Sequence, residues 1–201
     1  MSGAVNVSRE TLERLEVYSE TLKKWNPRIN LVAKSTIDDL WNRHIVDSLQ
    51  VLSHIPEQTH HLVDLGSGGG FPGLVIAIAA TESGNPSKVT MIESDQRKSA
   101  FLRTVLRETA TTAEIMTQRI EETPSQNAQV ITARALADLS TLLGFAELHL
   151  APDGKAIFLK GKNWRSELAT AQEAWQFDWN EIQSETSDEA VLLEIKGIKR
   201  V

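Results

Sequence analysis

From residue 61 onward, short apolar segments with strand-like spacing alternate with longer segments of helical spacing. Strands are predicted near 61–65, 88–93, 113–117, 128–133 and 154–160, and helices near 73–82, 96–108, 138–149 and 163–176. Strands that are separated by helices favour a mostly parallel sheet with helices on both faces, which is an α/β, Rossmann-like architecture. After residue 177, two further apolar segments joined by the polar "TSDE" predict a closing antiparallel hairpin.

The segment before residue 61 is predicted to be helical. Apolar residues recur at helical spacing over 8–25, and Ser8 can serve as the N-cap. Pro27 is expected to end this helix, because the residue before a proline disfavours helical geometry. A second helix is predicted to begin at Ser35, which forms a capping-box-like pair with Asp38.

Length and composition set limits on the class of protein. A chain of 201 residues can bury one substantial core, and we predict a helical extension over 1–55 that packs on a domain spanning 56–201. The chain contains no cysteine, which excludes disulfides, thiolate metal sites and cysteine nucleophiles. It has no apolar run long enough to span a bilayer and no signal-peptide pattern, so we expect a cytoplasmic protein. The net charge of −6 argues against indiscriminate nucleic-acid binding but allows a local basic patch.

The stretch "VDLGSGGGFPG" directly follows the first predicted strand and holds five of the eleven glycines of the chain. A glycine cluster at the end of a strand in an open α/β sheet predicts that a ligand closely approaches the backbone. Gly68, Gly70 and Gly73 fit the dinucleotide pattern G-x-G-x-x-G. Gly66, Gly68 and Gly70 also fit acid-x-G-x-G-x-G, with Asp64 as the acid.

Asp64 favours one of these two ligands. A carboxylate at this strand end would repel a pyrophosphate, whereas it complements the sulfonium and ammonium groups of S-adenosylmethionine. Glu93 ends the second strand and can accept hydrogen bonds from the ribose hydroxyls of either cofactor. The loop could also be only a tight turn, and Glu93 only an acid before a helix. Their combination within one βαβ unit favours S-adenosylmethionine.

Several motifs spread over most of the chain carry a resemblance to a known family. They are "LKKWNPRINLVAKS", "RHIVDSL", "VDLGSGGGFPG", "IESDQRKSAFL", "QRIEE", "TARAL" and "FLKGK". Together they resemble the small-subunit ribosomal RNA methyltransferase G family, also called glucose-inhibited division protein B. The resemblance implies a class I, seven-stranded methyltransferase fold that transfers methyl from S-adenosylmethionine to N7 of a guanosine in small-subunit (16S) rRNA. Similar proteins often carry Arg or His before the last strand, where this chain reads "TSDEAVLLEIKG".

The resemblance also implies roles for particular residues. Gly66 and Phe71 would contact the cofactor, and Ile120 and Glu121 would flank its adenine. Arg134, at the end of the fourth strand, would belong to the site, although a structural ion pair is the alternative for this residue. These positions lie at the carboxyl edge of the predicted sheet, where ligands bind in such folds.

Arg43, His44 and Asp47 lie on the second predicted helix. From spacing alone, Arg43 and Asp47 would form a surface i,i+4 pair and His44 would be a boundary histidine. The family motif instead implies that this helix borders the mouth of the active site, with the three residues in positioning roles. His44 is then the side chain at that mouth whose ordinary pKa lies near neutrality.

The residues permit some methyl acceptors and disfavour others. Methylation at pyrimidine C5 is excluded without a cysteine. Methylation of an exocyclic amine usually accompanies an Asn/Asp-Pro-Pro-aromatic turn, and this chain reads "TARALAD" at that place. Guanine N7 carries no proton at neutral pH, so its attack requires alignment and exclusion of water but no general base. The lack of an obvious base is consistent with that acceptor.

We expect the partner to be small-subunit rRNA or an assembling small subunit, with no metal and no membrane, and the protein to be a monomer. Basic residues near the predicted site or the C-terminus are candidates for RNA contact. They are Arg28, Lys34, Arg43, Arg134, Lys160, Lys162, Arg165, Lys196, Lys199 and Arg200. Only their convergence around one pocket would make an RNA footprint. Trp164 could stack on a base, but a packing role is favoured.

Three other functions remain open from the sequence. A nicotinamide-dependent oxidoreductase would use the G-x-G-x-x-G subset, and Asp64 argues against it. A non-catalytic RNA-binding or assembly factor would keep the cofactor loop only as a vestige. The intact "DLGSGGG" together with Glu93 argues against a loop that has lost its function. A methyltransferase acting on a small molecule or a protein would share the loop but not the helical motif that precedes it.

Overall fold

The computed structural model describes residues 7–201 and contains one mixed seven-stranded sheet. The strands are β1 (His61–Leu65), β2 (Lys88–Ile92), β3 (Glu114–Met116), β4 (Ala128–Arg134), β5 (Leu150–Lys160), β6 (Trp175–Gln183) and β7 (Val191–Arg200). Their order across the sheet is β3-β2-β1-β4-β5-β7-β6. The first five strands run parallel, and β7 is antiparallel to both β5 and β6. The predicted parallel sheet and its closing antiparallel hairpin are thus confirmed.

Helices cover both faces of the sheet. They are α1 (Arg9–Ile29), α2 (Asp47–Leu49), α3 (Gly73–Ser83), α4 (Gln96–Glu108), α5 (Leu139–His149) and α6 (Trp164–Gln172). One apolar cluster joins α1, α3 and α4 to one face of the sheet, and a second joins α5 and α6 to the other. The N-terminal helix shares its core with the sheet domain. The predicted domain boundary between 55 and 56 falls just before β1 and stays a prediction.

The prediction that Pro27 ends the first helix is wrong, because α1 continues through Pro27 to Ile29. The helix ends at Asn30, which adopts a left-handed conformation with φ of 49°. The buried Asn26 side chain supplies the compensation, since its Oδ1 accepts hydrogen bonds from the backbone N–H groups of Leu31 (2.7 Å) and Val32 (2.9 Å). Satisfying these two amides stabilises the chain reversal that follows the helix.

The second predicted helix is broken into short pieces, and the capping box of Ser35 and Asp38 is not formed. A 3₁₀ turn (Lys34–Thr36), a π-helix (Trp41–Val46), α2 and another 3₁₀ turn (Gln50–His54) follow one another. In the π-helix the Asp47 N–H donates to the carbonyl of Asn42, five residues earlier. Such π segments are rare and frequent at functional sites.

The last predicted helix is too long by four residues. It ends at Gln172, and Trp175 already belongs to β6. The Trp175 side chain is buried in the second apolar cluster, and the Arg200 guanidinium lies 4.7 Å from its ring centre. Burial of this tryptophan at the sheet edge overrides the helical pattern of the preceding residues.

Candidate active site

The glycine loop after β1 is tied to the end of β2 by Glu93. The Glu93 carboxylate accepts a hydrogen bond from the Gly68 N–H at 2.8 Å and another from the Asp95 N–H at 2.7 Å. One oxygen is used for each bond, so each retains a lone pair for a further donor. Glu93 is therefore held at the loop with capacity to accept hydrogen bonds from a ligand.

At each glycine of this loop, a Cβ atom would meet different neighbouring atoms. A Cβ on Gly73 would lie 2.6 Å from the Asp64 side chain, and a Cβ on Gly70 would lie 2.8 Å from the Tyr18 hydroxyl. A Cβ on Gly68 would meet only the Gly66 carbonyl oxygen, at 3.7 Å, and Gly68 has a left-handed φ of 53°. Among the five glycines of this loop, Gly68 is the one whose missing side chain leaves open space beside the cavity above the loop.

The cavity above this loop has a volume of about 560 Å³, within the range typical of small-molecule sites. It brings together most of the predicted cofactor residues, from four separate stretches of the chain. They are Gly66, Gly68, Phe71, Glu93, Ile120, Glu121 and Arg134. Ile120 and Glu121 form a 3₁₀ turn (Ile120–Glu122) between β3 and β4. We refer to this space as the cofactor cavity.

Asp64 does not line the cofactor cavity. Its side chain is fully buried beneath the loop, where one oxygen accepts a hydrogen bond from the Thr132 hydroxyl at 2.8 Å. Its other oxygen has no hydrogen-bond partner among residues 7–201. Burial raises the pKa of Asp64 to about 6, against the opposing hydrogen bond from Thr132. Direct contact with a cationic ligand, as the sequence predicted for Asp64, stays a prediction that the burial of this carboxyl does not favour.

Arg134 connects the end of β4 to the π-helix. One terminal nitrogen, Nη1, donates to the Arg43 carbonyl at 3.1 Å and to the Asp47 carboxylate at 3.0 Å. The other, Nη2, lies 2.5 Å from Nδ1 of His44. The guanidinium also lies 4.8 Å from the ring centre of Phe71, a cation–π distance. The predicted i,i+4 pairing of Arg43 with Asp47 is wrong, because Arg134 takes the carboxylate.

These contacts fix the protonation of His44. Arginine can only donate, so Nδ1 of His44 accepts and its ring proton resides on Nε2. Nε2 then donates to the Thr36 hydroxyl at 2.8 Å, and that hydroxyl donates to the Ala33 carbonyl at 2.8 Å. Burial, with the guanidinium groups of Arg134 and Arg43 nearby, lowers the pKa of His44 to about 3. The expectation that His44 titrates near neutrality is therefore wrong.

Tyr18 contributes to the site, although its helical spacing within 8–25 indicates only a residue of the apolar stripe of the first helix. Its hydroxyl donates to the Gly69 carbonyl at 2.5 Å, and its ring lies 5.3 Å from that of Phe71. His149 also supports the site without having been predicted to do so, since its buried Nε2 lies 3.0 Å from the carbonyl oxygen of Ile120. Both contacts join segments far apart in the chain, so no local pattern could have revealed them.

A second cavity, of about 690 Å³, lies beside the first and shares His44, Arg134 and Leu136 with it. We refer to it as the acceptor-side cavity. It is also lined by Arg43 and Asp47 from the helical motif and by Lys160 and Lys162, which follow β5. The structure thus brings the predicted positioning residues and two further predicted basic residues to the lining of the acceptor-side cavity. Among them, His44 and Arg134 also line the cofactor cavity.

The predicted RNA-binding residues differ in solvent exposure and in whether they form ion pairs. Lys34, Arg43 and Lys162 are exposed and form no ion pair within residues 7–201. Lys160 is only 9% exposed, and its ammonium pairs with Glu167 at 2.5 Å and donates to the Ala137 carbonyl at 2.9 Å. A direct phosphate contact would require Lys160 to leave both partners, so its geometry favours a structural role in the cavity wall.

The remaining basic candidates lie away from the shared wall. Arg28 is exposed in the last turn of α1, and it lines neither cavity. Arg165 stacks over Trp164 at 4.1 Å from the ring centre and lies 3.8 Å from Glu181. Trp164 is buried, as the packing interpretation predicted. Arg200 pairs with Glu147 and stacks on Trp175. Neither it nor Lys196 nor Lys199 lines either cavity, so the C-terminal basic residues do not converge on the cavities.

Within residues 7–201 no group of three or more His, Cys, Asp or Glu side chains is arranged to hold a metal ion. None of the helices described for those residues has the length and apolar character required to cross a membrane.

The sheet order, the glycine loop with Glu93 and the paired cavities define a class I methyltransferase that uses S-adenosylmethionine. Solved structures of this class share the fold. A ribosomal protein L11 methylase from Lactobacillus delbrueckii subsp. bulgaricus aligns with a TM-score of 0.61 and 16% identity, covering 77% of this chain and 78% of that one. A SAM-dependent methyltransferase from Aquifex aeolicus aligns with a TM-score of 0.61 and 12% identity, covering 88% and 97%.

The sequence comparisons identify the family. The GidB model, described as rRNA small subunit methyltransferase G, matches residues 11–191. A ribosomal RNA small subunit methyltransferase G from Ruegeria sp. (strain TM1040) is 54% identical over 197 residues, covering 98% of this chain and 96% of that protein. The chain therefore belongs to the rRNA small subunit methyltransferase G family. This membership confirms the resemblance and decides against the oxidoreductase alternative.

Proposed function

We propose that this protein transfers a methyl group from S-adenosylmethionine to N7 of a guanosine in small-subunit (16S) rRNA. The single observation that carries the N7 assignment is the bonding of His44. Its Nδ1 lone pair is occupied by Arg134 and its Nε2 proton is directed at Thr36. A histidine with both ring nitrogens engaged has no lone pair to remove a proton from a substrate. Guanine N7 needs no such removal, which fits an acceptor site built for alignment.

The cofactor cavity has the groups that S-adenosylmethionine requires. The Glu93 carboxylate can accept hydrogen bonds from ribose hydroxyls, and the Ile120 side chain offers an apolar surface to the adenine. The open space at Gly68 lets the cofactor approach the backbone. When bound, the cofactor supplies an electrophilic methyl group on its sulfonium. The chain itself holds this group in a cavity that is separated from the acceptor side by Arg134, His44 and Leu136.

The acceptor-side cavity is assigned to the target guanosine. Its volume of about 690 Å³ suits one nucleoside that has been turned out of its stack. The exposed side chains of Arg43 and Lys162 line this cavity and can contact the phosphates of the RNA backbone. Lys34 is also exposed and lies two residues before Thr36, which lines the same cavity. A base in this cavity would meet the clamped Arg134 guanidinium, which can donate toward guanine but accept no proton from it.

We propose that the protein acts as a monomer, because the residues proposed to hold the cofactor and to position the acceptor all come from one chain. Its substrate is proposed to be small-subunit rRNA in the cytoplasm, free or within an assembling subunit. The overall negative charge of −6 favours contact with RNA through the cavity rim and not over the whole surface.

The test is methyl transfer to purified small-subunit rRNA with labelled S-adenosylmethionine, followed by digestion to nucleosides and mass analysis. We expect 7-methylguanosine as the labelled product. Labelled small-subunit RNA that contains only N2-methylguanosine, a methylated adenosine or a ribose methyl group would contradict the N7 assignment. Failure to label that RNA in both its free and its subunit-bound form, while the protein binds the cofactor, would contradict the rRNA assignment.

His44 is expected to contribute no proton transfer. Its pKa is lowered to about 3, so the ring is neutral throughout the range in which the enzyme would be assayed. We therefore expect the pH dependence of single-turnover methyl transfer between about pH 5.5 and 8.5 to be the same in the parent and in His44→Gln. A change near pH 6 that persists in His44→Gln would belong to Asp64, whose pKa is raised to about 6, and not to His44. His44→Gln, which can accept from Arg134 and donate to Thr36, should lose no more than about tenfold in rate.

The measurement is the single-turnover rate across pH for the parent and His44→Gln, with RNA saturating. A neighbouring exposed position, Asn42→Gln, serves as a control for substitution within the π-helix. A general base would give a rate that rises through the histidine pKa and falls by about a hundredfold or more on substitution. That result would exclude the base-free mechanism.

A further inference from the structure

Both oxygens of the Asp47 carboxylate accept hydrogen bonds. Its Oδ2 pairs with Arg134 Nη1 at 3.0 Å. Its Oδ1 accepts hydrogen bonds from the Thr186 hydroxyl at 2.8 Å and from the Gln50 amide at 2.8 Å, with the Ser184 hydroxyl at 3.4 Å. The group that orients Arg134 is therefore also bonded to the connection between β6 and β7.

Gln50 is a buried amide whose donors and acceptor are all engaged. It is 3% exposed, and its Nε2 donates to the Asp47 carbonyl at 2.8 Å and lies 3.3 Å from the Ser184 hydroxyl. Its Oε1 accepts from the Glu185 N–H at 3.0 Å. A fully bonded buried amide of this kind fixes the two segments that it joins. Here it joins the start of a 3₁₀ turn to the turn that enters β7.

This turn forms part of the wall of the acceptor-side cavity. We define the acceptor turn as residues 184–190. Its two ends, Ser184 and Ala190, line the cavity together with Asp47 and Arg134. Within the turn, the Ser184 hydroxyl accepts from the Thr186 N–H at 3.2 Å, and the Ser184 N–H donates to the Ala190 carbonyl at 3.0 Å. The bonds to Asp47 and Gln50 are what attach the turn to the helical motif.

We propose that Thr186 and Gln50 are positioning residues for the RNA acceptor, acting through Asp47. They hold the acceptor turn at a fixed distance from Arg134. The turn and the guanidinium can then contact the target guanosine together. The bonds run from the turn to Asp47 and from Asp47 to Arg134. Of these residues only Arg134 lines the cofactor cavity, and its bonds to His44 and to the Arg43 carbonyl do not involve the turn. Loosening the turn should therefore disturb acceptor alignment and leave cofactor binding intact. This inference rests on the proposed function.

The test is Thr186→Val, which keeps the shape of the side chain and removes its hydroxyl. The variant leaves the half-buried Asp47 carboxylate one donor short, and hydrogen bonds to a charged group are among the stronger ones. We expect the single-turnover rate at saturating rRNA to fall by about tenfold or more. The calorimetric affinity for S-adenosylmethionine should stay within about twofold of the parent. Thr186→Ser, which restores the hydroxyl, should recover most of the rate.

Ser187→Ala is the matched control, because Ser187 lies in the same turn but its hydroxyl makes, within residues 7–201, a single hydrogen bond, to the Glu189 N–H at 3.4 Å. It should keep the parental rate. A parental rate in Thr186→Val, an equal loss in Thr186→Ser, or an equal loss in Ser187→Ala would overturn the positioning role. Should Thr186→Val unfold, Thr186→Ala replaces it with the same expectations. An inactive parent would refute the proposed function and this inference together, whereas an active parent with an unaffected Thr186→Val refutes only the inference.

Discussion

The Arg134→Ala variant is expected to transfer methyl groups at least about a hundredfold more slowly than the parent, with a smaller loss of cofactor affinity. The substitution removes the bonds to Asp47, the Arg43 carbonyl and His44 at once, together with the contact to the Phe71 ring. Both the wall between the two cavities and the orientation of His44 then lose their support. Single-turnover rates with rRNA and calorimetric titration with S-adenosylmethionine separate the two effects.

Arg134→Lys provides the graded comparison. It retains the positive charge but cannot reach Asp47 and His44 together with the planar fork of arginine, so we expect it to recover only part of the lost rate. Arg9→Ala is a control, because Arg9 is exposed on α1 and pairs with Glu13, far from Arg134 in the chain. An Arg134→Ala variant that transfers methyl groups at the parental rate would show that this network is structural and has no part in the reaction.

Gly68→Val is expected to abolish cofactor binding in a protein that still folds. The new side chain would enter the open space beside the cofactor cavity. Apart from the adjacent residues of the chain, the Gly66 carbonyl oxygen is the one atom of residues 7–201 within 4 Å of the added Cβ. We expect the affinity for S-adenosylmethionine to fall by at least about a hundredfold, because the side chain fills volume that the ligand needs. The positive φ of Gly68 adds a folding cost of about 1–3 kcal/mol.

Gly84→Val separates the backbone cost from the steric effect on binding. Gly84 also has a positive φ, of 68°, and nothing lies within 4 Å of its added Cβ, but it ends α3 away from the cavity. It should show a similar loss of stability in thermal unfolding with parental cofactor affinity. If a folded Gly68→Val variant bound S-adenosylmethionine like the parent, the assignment of the cofactor cavity would be wrong.

The sheet and the cofactor cavity were largely predictable because local patterns determine them. The strand at 61–65 and the helix at 96–108 have the bounds that their spacing predicted. Parallel strands place their carboxyl ends at one edge, so Gly68, Glu93 and Arg134 had to meet there once the topology was known. The N-terminal motif behaved differently. Its broken helix depends on contacts with Phe71 and Arg134, which lie elsewhere in the chain.

The sequence also could not show which neighbouring atoms require each glycine of the loop. Their clustering predicted a ligand, and at Gly68 the open space supports that interpretation. At Gly73 and Gly70 the excluded neighbours are the side chains of Asp64 and of Tyr18 with Leu74. A glycine pattern indicates close approach but not which atoms approach, because protein and ligand impose the same steric demand.

The π-helix over Trp41–Val46 makes this region sensitive to changes in length. A π-helix bonds residue i to residue i+5, so each turn accommodates one more residue than an α-helix turn. Deleting a single residue here would let the segment relax into the commoner helix, at little cost to folding. The same deletion would turn His44 and Asp47 relative to one another and withdraw the Arg43 carbonyl from Arg134. One in-frame codon loss could thus inactivate the enzyme while every side chain that it uses is still encoded.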